Sequence, residues 1–189
     1  MNLLLIDAYV IFILKTNGWT EERNFVMAND WIRRIEKSGV QCFPYAQEIL
    51  CSVGGMKIRE PSPKSCQIFL DKCGRDFNKL DKWYQRPLII LENLQENTPI
   101  NKYNGATFTF DALYAFQDQE LVMDFRLVET QIGEKLFPIG TVEPDGISYA
   151  SESKKIYTLF KDSAFLSGDC IENYLNMLFL HEYKPQQII

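Results

Sequence analysis

The sequence has one histidine, His181, and its five cysteines stand at 42, 51, 66, 73 and 170 with no CxxC pair and no repeated short spacing. A metal site built from paired Cys and His ligands is not indicated. The odd, scattered thiols read instead as reduced side chains of a cytoplasmic protein. Cys170 and His181 fall on one expected helix, about 16 Å apart along its axis, which excludes a Cys–His dyad within it. Glycine-rich phosphate cradles are missing too: Gly54-Gly55 and the stretch from Gly133 to Gly140 contain neither GxGxxG nor GxxxxGK(S/T). There is no GxSxG elbow for a serine nucleophile. The close carboxylates Asp118 with Glu120, and Glu143 with Asp145, read as turn and cap residues rather than as acid–base pairs. Trp19, Trp31 and Trp83 read as core anchors, since nothing arranges them as a stacking strip. No catalytic residue, cofactor or metal is expected.

Long apolar runs are also lacking. The longest opens the chain, Leu3-Leu4-Leu5-Ile6 and then Tyr9 to Leu14, and Asp7 interrupts it. No basic residue precedes the run and no small-x-small cleavage site follows it, so it does not read as an export signal. As a 12-residue helix it would be about 18 Å long, against a hydrocarbon core of roughly 30 Å, so it does not read as a membrane span. A buried N-terminal helix is the expectation.

Positive charge is in short supply as well. Twenty Lys and Arg against 25 Asp and Glu leave a net charge of −5, which disfavours a protein that works by neutralising phosphates. Neither a nucleic acid nor a membrane is an expected partner. The imbalance is local: residues 1–100 carry 12 acids and 13 bases, whereas 111–152 carry nine acids and two bases. Such a cluster reads either as a solvated face or as an acidic docking surface for a cationic protein.

What is present is the balance of an ordinary globular protein, 46% hydrophobic and 24% charged, at a length of 189 residues that favours one domain. Aromatic residues, at 13%, exceed what one core of this size needs, and a surplus of that kind often ends at an interface.

Three helices are expected first. One ends at Asn17-Gly18; a second is capped by Thr20, with Glu21 and Glu22 in its first turn, and carries Ala28, Trp31 or Ile32, and Ile35 as far as Ser38-Gly39. The third begins at Pro44, carries Tyr45, Ala46, Ile49, Leu50 and Val53, and stops at Gly54-Gly55. Short strands follow at 56–59 and 66–70, then an insertion-like excursion at 71–104 whose apolar segments fit helix or strand equally.

From Asp118, the residues Leu121, Phe125, Val128 and Ile132 recur at helical spacing before Gly133, so one long amphipathic helix is expected. A meander of three antiparallel strands follows at 136–139, 147–150 and 156–160. Ser167-Gly168-Asp169 then caps a last helix with Ile171, Tyr174 or Leu175, and Leu178. Helices at both termini around strands indicate an α+β fold, a single domain with a largely antiparallel sheet packed against helices.

Several motifs stand in order along the chain. They are Gly18-Trp19 with Arg23, Ala46 to Leu50 running into Gly54-Gly55, Phe108-Thr109-Phe110-Asp111, Ile132-Gly133, Leu136-Phe137-Pro138-Ile139-Gly140, Gly146-Ile147 and a strand at 155–159. This series resembles the SUKH superfamily of bacterial immunity proteins, and within it the third subfamily. The resemblance covers most of the chain except 71–104, and Leu-x-Pro-Ile-Gly is its most specific element. The strand at 155 lacks the glycine that commonly precedes it.

The resemblance implies a non-catalytic α+β protein that binds and neutralises a polymorphic toxin delivered between competing bacteria, often a nuclease. The alternative it implies is an adaptor with a housekeeping partner, as in other branches of the superfamily. The shared motifs then act as scaffold: Gly54 and Gly55 would supply unusual φ, Pro138 would fit an edge strand or a bulge, and Gly140 would permit a turn after it. Specificity falls to the loops. A nuclease binds phosphate through Lys and Arg, so the expected partner is a basic cognate toxin, met at Asp118, Glu120, Glu143, Asp145 and Glu152. Trp83, Tyr84 and Tyr103 form a secondary candidate anchor.

Overall fold

A computed structural model of the protein describes residues 1–59, 108–143, 145–180 and 185–189. The strand expected at 66–70, the excursion at 71–104, and with them Trp83, Tyr84, Tyr103 and His181, lie outside the described residues.

The apolar opening run is divided where one helix was expected. Leu3–Leu5 make a short 3-10 turn, capped by the Asn2 side chain, which accepts from the Leu4 N–H at 3.1 Å, and α1 (Ala8–Thr16) follows. At the break the Asn176 carboxamide accepts from the Asp7 N–H (2.9 Å) and donates to the Leu5 carbonyl (2.9 Å). A continuous helix would have satisfied those two groups internally; here the last helix of the chain does so instead. The helix α1 buries Val10, Ile13 and Leu14.

The second helix, α2 (Ala28–Glu36), begins eight residues after Thr20. The expected cap fails because the intervening segment is drawn elsewhere: the Phe25 N–H donates to the Cys51 carbonyl at 2.8 Å, which holds the chain against α3 (Pro44–Val53). α2 buries its expected Ala28, Trp31, Ile32 and Ile35, and α3 buries Ala46, Ile49, Leu50 and Val53, whereas Tyr45 is only half-buried, its hydroxyl accepting from the Ile171 N–H at 2.7 Å. Pro44 stands at the start of α3, where its missing N–H costs nothing.

The helix expected from Asp118 to Ile132 is two elements, a 3-10 turn and a shorter helix, with a further helix just before them. Asp111 caps α4 (Ala112–Gln117), its carboxylate accepting from the Tyr114 N–H at 2.8 Å. A 3-10 turn follows at Gln119–Leu121, and Asp124 then caps α5 (Phe125–Ile132), accepting from the Arg126 N–H at 3.0 Å. The Asp124 cap and a long-range bond, Met123 N–H to the Phe160 carbonyl at 3.0 Å, break the continuous stripe. Phe125 and Val128 are buried as expected, whereas Leu121 is exposed. Gly133 closes α5 in the left-handed conformation, at φ 73°.

Seven strands form one antiparallel sheet in sequential order: β1 (Lys57–Ile58), β2 (Phe108–Thr109), β3 (Leu136–Val142), β4 (Gly146–Ser151), β5 (Ile156–Leu159), β6 (Ala164–Gly168) and β7 (Gln186–Gln187). The meander is as expected. Ser167 and Gly168, read as a helix cap, end β6 instead, and α6 (Ile171–Leu180) starts after them. Its Ile171, Tyr174, Leu175 and Leu178 are buried, as the spacing predicts.

Successive residues of β4 face opposite sides, and both sides are covered. The Ser148 hydroxyl meets the Tyr174 hydroxyl of α6 at 2.6 Å, while the Tyr149 ring stacks on Phe125 of α5 at 5.6 Å. The sheet therefore lies between helices, and every residue of β4 and β5 is buried. Buried hydroxyls on the α6 side satisfy one another, with Ser148 3.3 Å from Thr158 and Ser167 donating to Thr158 at 2.9 Å. Pro138 is tolerated in an interior strand because the register shifts between Pro138 and Gly140, a bulge and not an edge.

Candidate protein-docking surface

Among the described residues, no three His, Cys, Asp or Glu side chains converge to hold a metal ion, and no helix is long and apolar enough to cross a membrane. Cys42, Cys51 and Cys170 are free and half-buried. Burial and the nearby Glu36 carboxylate push the Cys42 thiol up to about 12, and burial also raises Cys170. Thiols held protonated in this way are poor nucleophiles.

The five candidate acids do not form one patch. Glu143 and Asp145 flank the turn that leads into β4, whereas Glu152 follows its other end. Seven strand steps separate Asp145 from Glu152, about 23 Å. Glu152 accepts from the Lys135 N–H at 3.2 Å, in a region where acids and bases are interleaved: Lys135 Nζ lies 3.1 Å from Glu129, and Lys155 Nζ lies 4.0 Å from Glu134. Burial would raise the Glu134 carboxyl, but hydrogen bonds with Ser153 and Ser151, and the Lys155 charge, hold it below the usual range. Glu152 itself has no ion pair among the described residues, and the two lysines nearby are taken up by Glu129 and Glu134. Glu152 borders a depression of about 610 Å³ that Glu134, Lys135 and Arg126 share.

Glu143, Asp145 and Glu120 have no cation within ion-pair distance among the described residues, and all three are exposed. Asp118, half-buried, ends α4, and Glu120 lies in the 3-10 turn beside a crevice of about 300 Å³. What the sequence reading missed is apolar. Tyr114, Leu121 and Leu127 are exposed, and the only signals in the sequence were the two cap residues Asp111 and Asp124, which reset the helical phase.

Four of the ordered motifs, those that hold Arg23, Gly54-Gly55, Phe110 and Gly140, meet at one place. Arg23 donates to the Gly54 carbonyl at 2.8 Å and its guanidinium lies 5.8 Å from the Phe25 ring centre. That ring fills the space over both glycines, so that a Cβ on Gly54 would lie 2.7 Å from it and one on Gly55 2.6 Å. Only Gly55 has positive φ, at 74°; Gly54, at −53°, is required for room, which corrects the expectation that both supply unusual φ. The Gly55 N–H then donates to the Phe110 carbonyl (2.7 Å) and the Phe110 N–H to the Met56 carbonyl (2.8 Å). Gly140 lets β3 press against the backbone of Thr109 and Phe110. It is not followed by a turn, since β3 runs on to Val142. Trp19 is buried beside α1.

A family model described as SUKH-3 immunity protein matches residues 6–180. The chain belongs to the SUKH-3 immunity protein family. The match runs from the end of the first 3-10 turn to the last residue of α6, so both helical layers and the interior of the sheet fall within it. No curated protein and no solved structure matches the chain significantly. In this SUKH-3 protein Arg23, Gly55 and Phe110 bond to backbone across the junction, and Gly54, Gly55 and Gly140 leave the room that Phe25 and the Thr109 backbone occupy. They build the scaffold.

Proposed function

We propose that this SUKH-3 protein protects a bacterial cytoplasm by binding a cognate basic toxin, of the kind that acts on nucleic acid, and occluding it without catalysis. Family membership over residues 6–180 is the observation that carries the reading. The net charge of −7 across 111–152 supports the sign of the partner. A toxin that grips phosphate does so with clustered Lys and Arg, and a carboxylate surface enters the same field. Glu143 and Asp145 at the β3–β4 turn, with Asp118 and Glu120 after α4, supply that surface. Glu152, bonded to the Lys135 N–H beside two lysines, contributes least.

The test takes as its ligand the toxin domain of a gene directly upstream of this one, the neighbourhood that the immunity reading requires. The wild-type protein should bind it and protect cells that express it; failure of both rejects the immunity reading. Replacing Glu143 by Gln and Asp145 by Asn should slow association by about threefold or more at low salt and flatten its salt dependence, with dissociation little changed. Glu152→Gln should do much less. An on-rate unchanged in the double variant rejects the acidic turn as a steering surface.

A further inference from the structure

α4 and the turn after it leave large apolar side chains in solvent. Tyr114 is 51% exposed and Leu121 59%, and with Asp118 they occupy positions i, i+7 and i+4 of one segment. The Asp118 N–H donates to the Tyr114 carbonyl at 3.0 Å and the Leu121 N–H to the Asp118 carbonyl at 2.9 Å. The three residues therefore follow one another along a single edge. Next to Leu121 the 3-10 turn and the start of α5 enclose the 300 Å³ crevice. Gln119, Glu120, Asp124 and Arg126 line it together with the buried side chains of Val122 and Phe125. Across 111–132 there are five acids and one base.

An apolar edge beside a crevice with acidic borders selects its occupant. A second copy of this chain would bring the same negative field against its own, and an anionic lipid surface would be repelled. A cationic protein surface is attracted, and it can seat an aliphatic stem in the crevice while its charge meets Glu120.

We infer that the Tyr114–Leu121 edge and its adjoining crevice are the anchor for the toxin, which presents there an apolar contact flanked by lysine or arginine. The inference rests on the immunity reading and adds the point at which dissociation is controlled. Acids set how fast the partner arrives, and the tyrosine and leucine set how long it stays.

The experiment measures association and dissociation rates with the neighbouring toxin domain for three variants. Tyr114→Ser with Leu121→Ser should raise the dissociation rate about tenfold or more and leave association nearly unchanged. Asp118→Asn with Glu120→Gln should slow association by about threefold at low salt and weaken its salt dependence. Leu4→Ser, at an 87% exposed leucine of the N-terminal 3-10 turn, should match wild type in both. All substituted side chains are exposed or half-buried, so thermal midpoints should stay close to wild type, and a folded variant is the one compared. A folded Tyr114→Ser/Leu121→Ser protein that dissociates at the wild-type rate overturns the anchor. So does a wild-type dimer that the same double substitution abolishes. If wild type does not bind the toxin domain, the immunity reading fails and the anchor with it.

Discussion

Gly140→Ala should be among the most damaging single-carbon additions to this protein, although Gly140 lies in a strand and has an ordinary φ. A Cβ there would meet the Thr109 carbonyl oxygen inside van der Waals contact and would lie 3.0 Å from both Phe110 Cα and Thr109 C. All three neighbours are backbone. A side chain could rotate aside, but β2 cannot withdraw without breaking its pairing with β3, Phe108 opposite Val142 and Thr109 opposite Thr141. Overpacking of one methyl group in a fitted core costs about 1–3 kcal/mol, and rigid neighbours place this site near the top of that range. Reduced freedom of the unfolded chain returns roughly 0.5 kcal/mol, so the net loss should be about 2 kcal/mol. Gly133→Ala is the contrasting variant. Nothing lies within 4 Å of its Cβ, but φ is 73°, so it should lose only about 1 kcal/mol, by backbone strain alone. Urea unfolding followed by tryptophan fluorescence gives both values, provided the slope of each transition matches wild type. A Gly140→Ala midpoint within about 0.5 kcal/mol of wild type would refute the claim that β2 is pressed onto β3 at this residue.

Two further outcomes follow from buried hydroxyls and thiols. Tyr174→Phe removes the 2.6 Å bond to Ser148 inside a fully buried network and should cost about 1–2 kcal/mol, whereas Tyr149→Phe removes a buried hydroxyl with no partner among the described residues and should be neutral or slightly stabilising; equal losses in both, by the same urea assay, would contradict this. Alkaline pH should destabilise the protein. Burial raises the Tyr149 and Tyr174 phenols well above 10.0 and Cys42 from 9.0 to about 12, so the unfolded chain releases these protons first and holds fewer of them. Their contribution is complete below pH 9 and is lost as pH rises through 9 to 12, so the urea midpoint should fall across that window, and a midpoint flat to pH 11 would refute it.

Much of the fold was legible because its signals are local. Pro44 at a helix start, and the apolar stripes of α2, α3 and α6, depend on residues within a few positions, and so do the turns of the β3–β5 meander. The failures share a different cause. Thr20 looks like a cap until Phe25 is bonded to Cys51, and the stripe from Leu121 to Ile132 looks continuous until Met123 is bonded to Phe160. β1 and β2 are only two residues long, and β7 likewise, so they exist through pairing rather than propensity. The candidate surface was legible only as charge. Composition located the acids in 111–152, but a β-strand of known length between Asp145 and Glu152 was needed to see that they face different ends of the sheet.

By itself the sequence determined the fold class, the family scaffold and the sign of the charge, since periodicity, motif order and net charge are sums over neighbouring residues. Tertiary structure alone decided why those motifs are needed. Gly54 makes room for Phe25, Gly140 for Thr109, and Arg23 reaches the Gly54 carbonyl, each across roughly 30 residues of chain. It also decided that Leu121 is a surface residue. Whether an apolar side chain is core or anchor depends on what folds over it, and no local pattern carries that information.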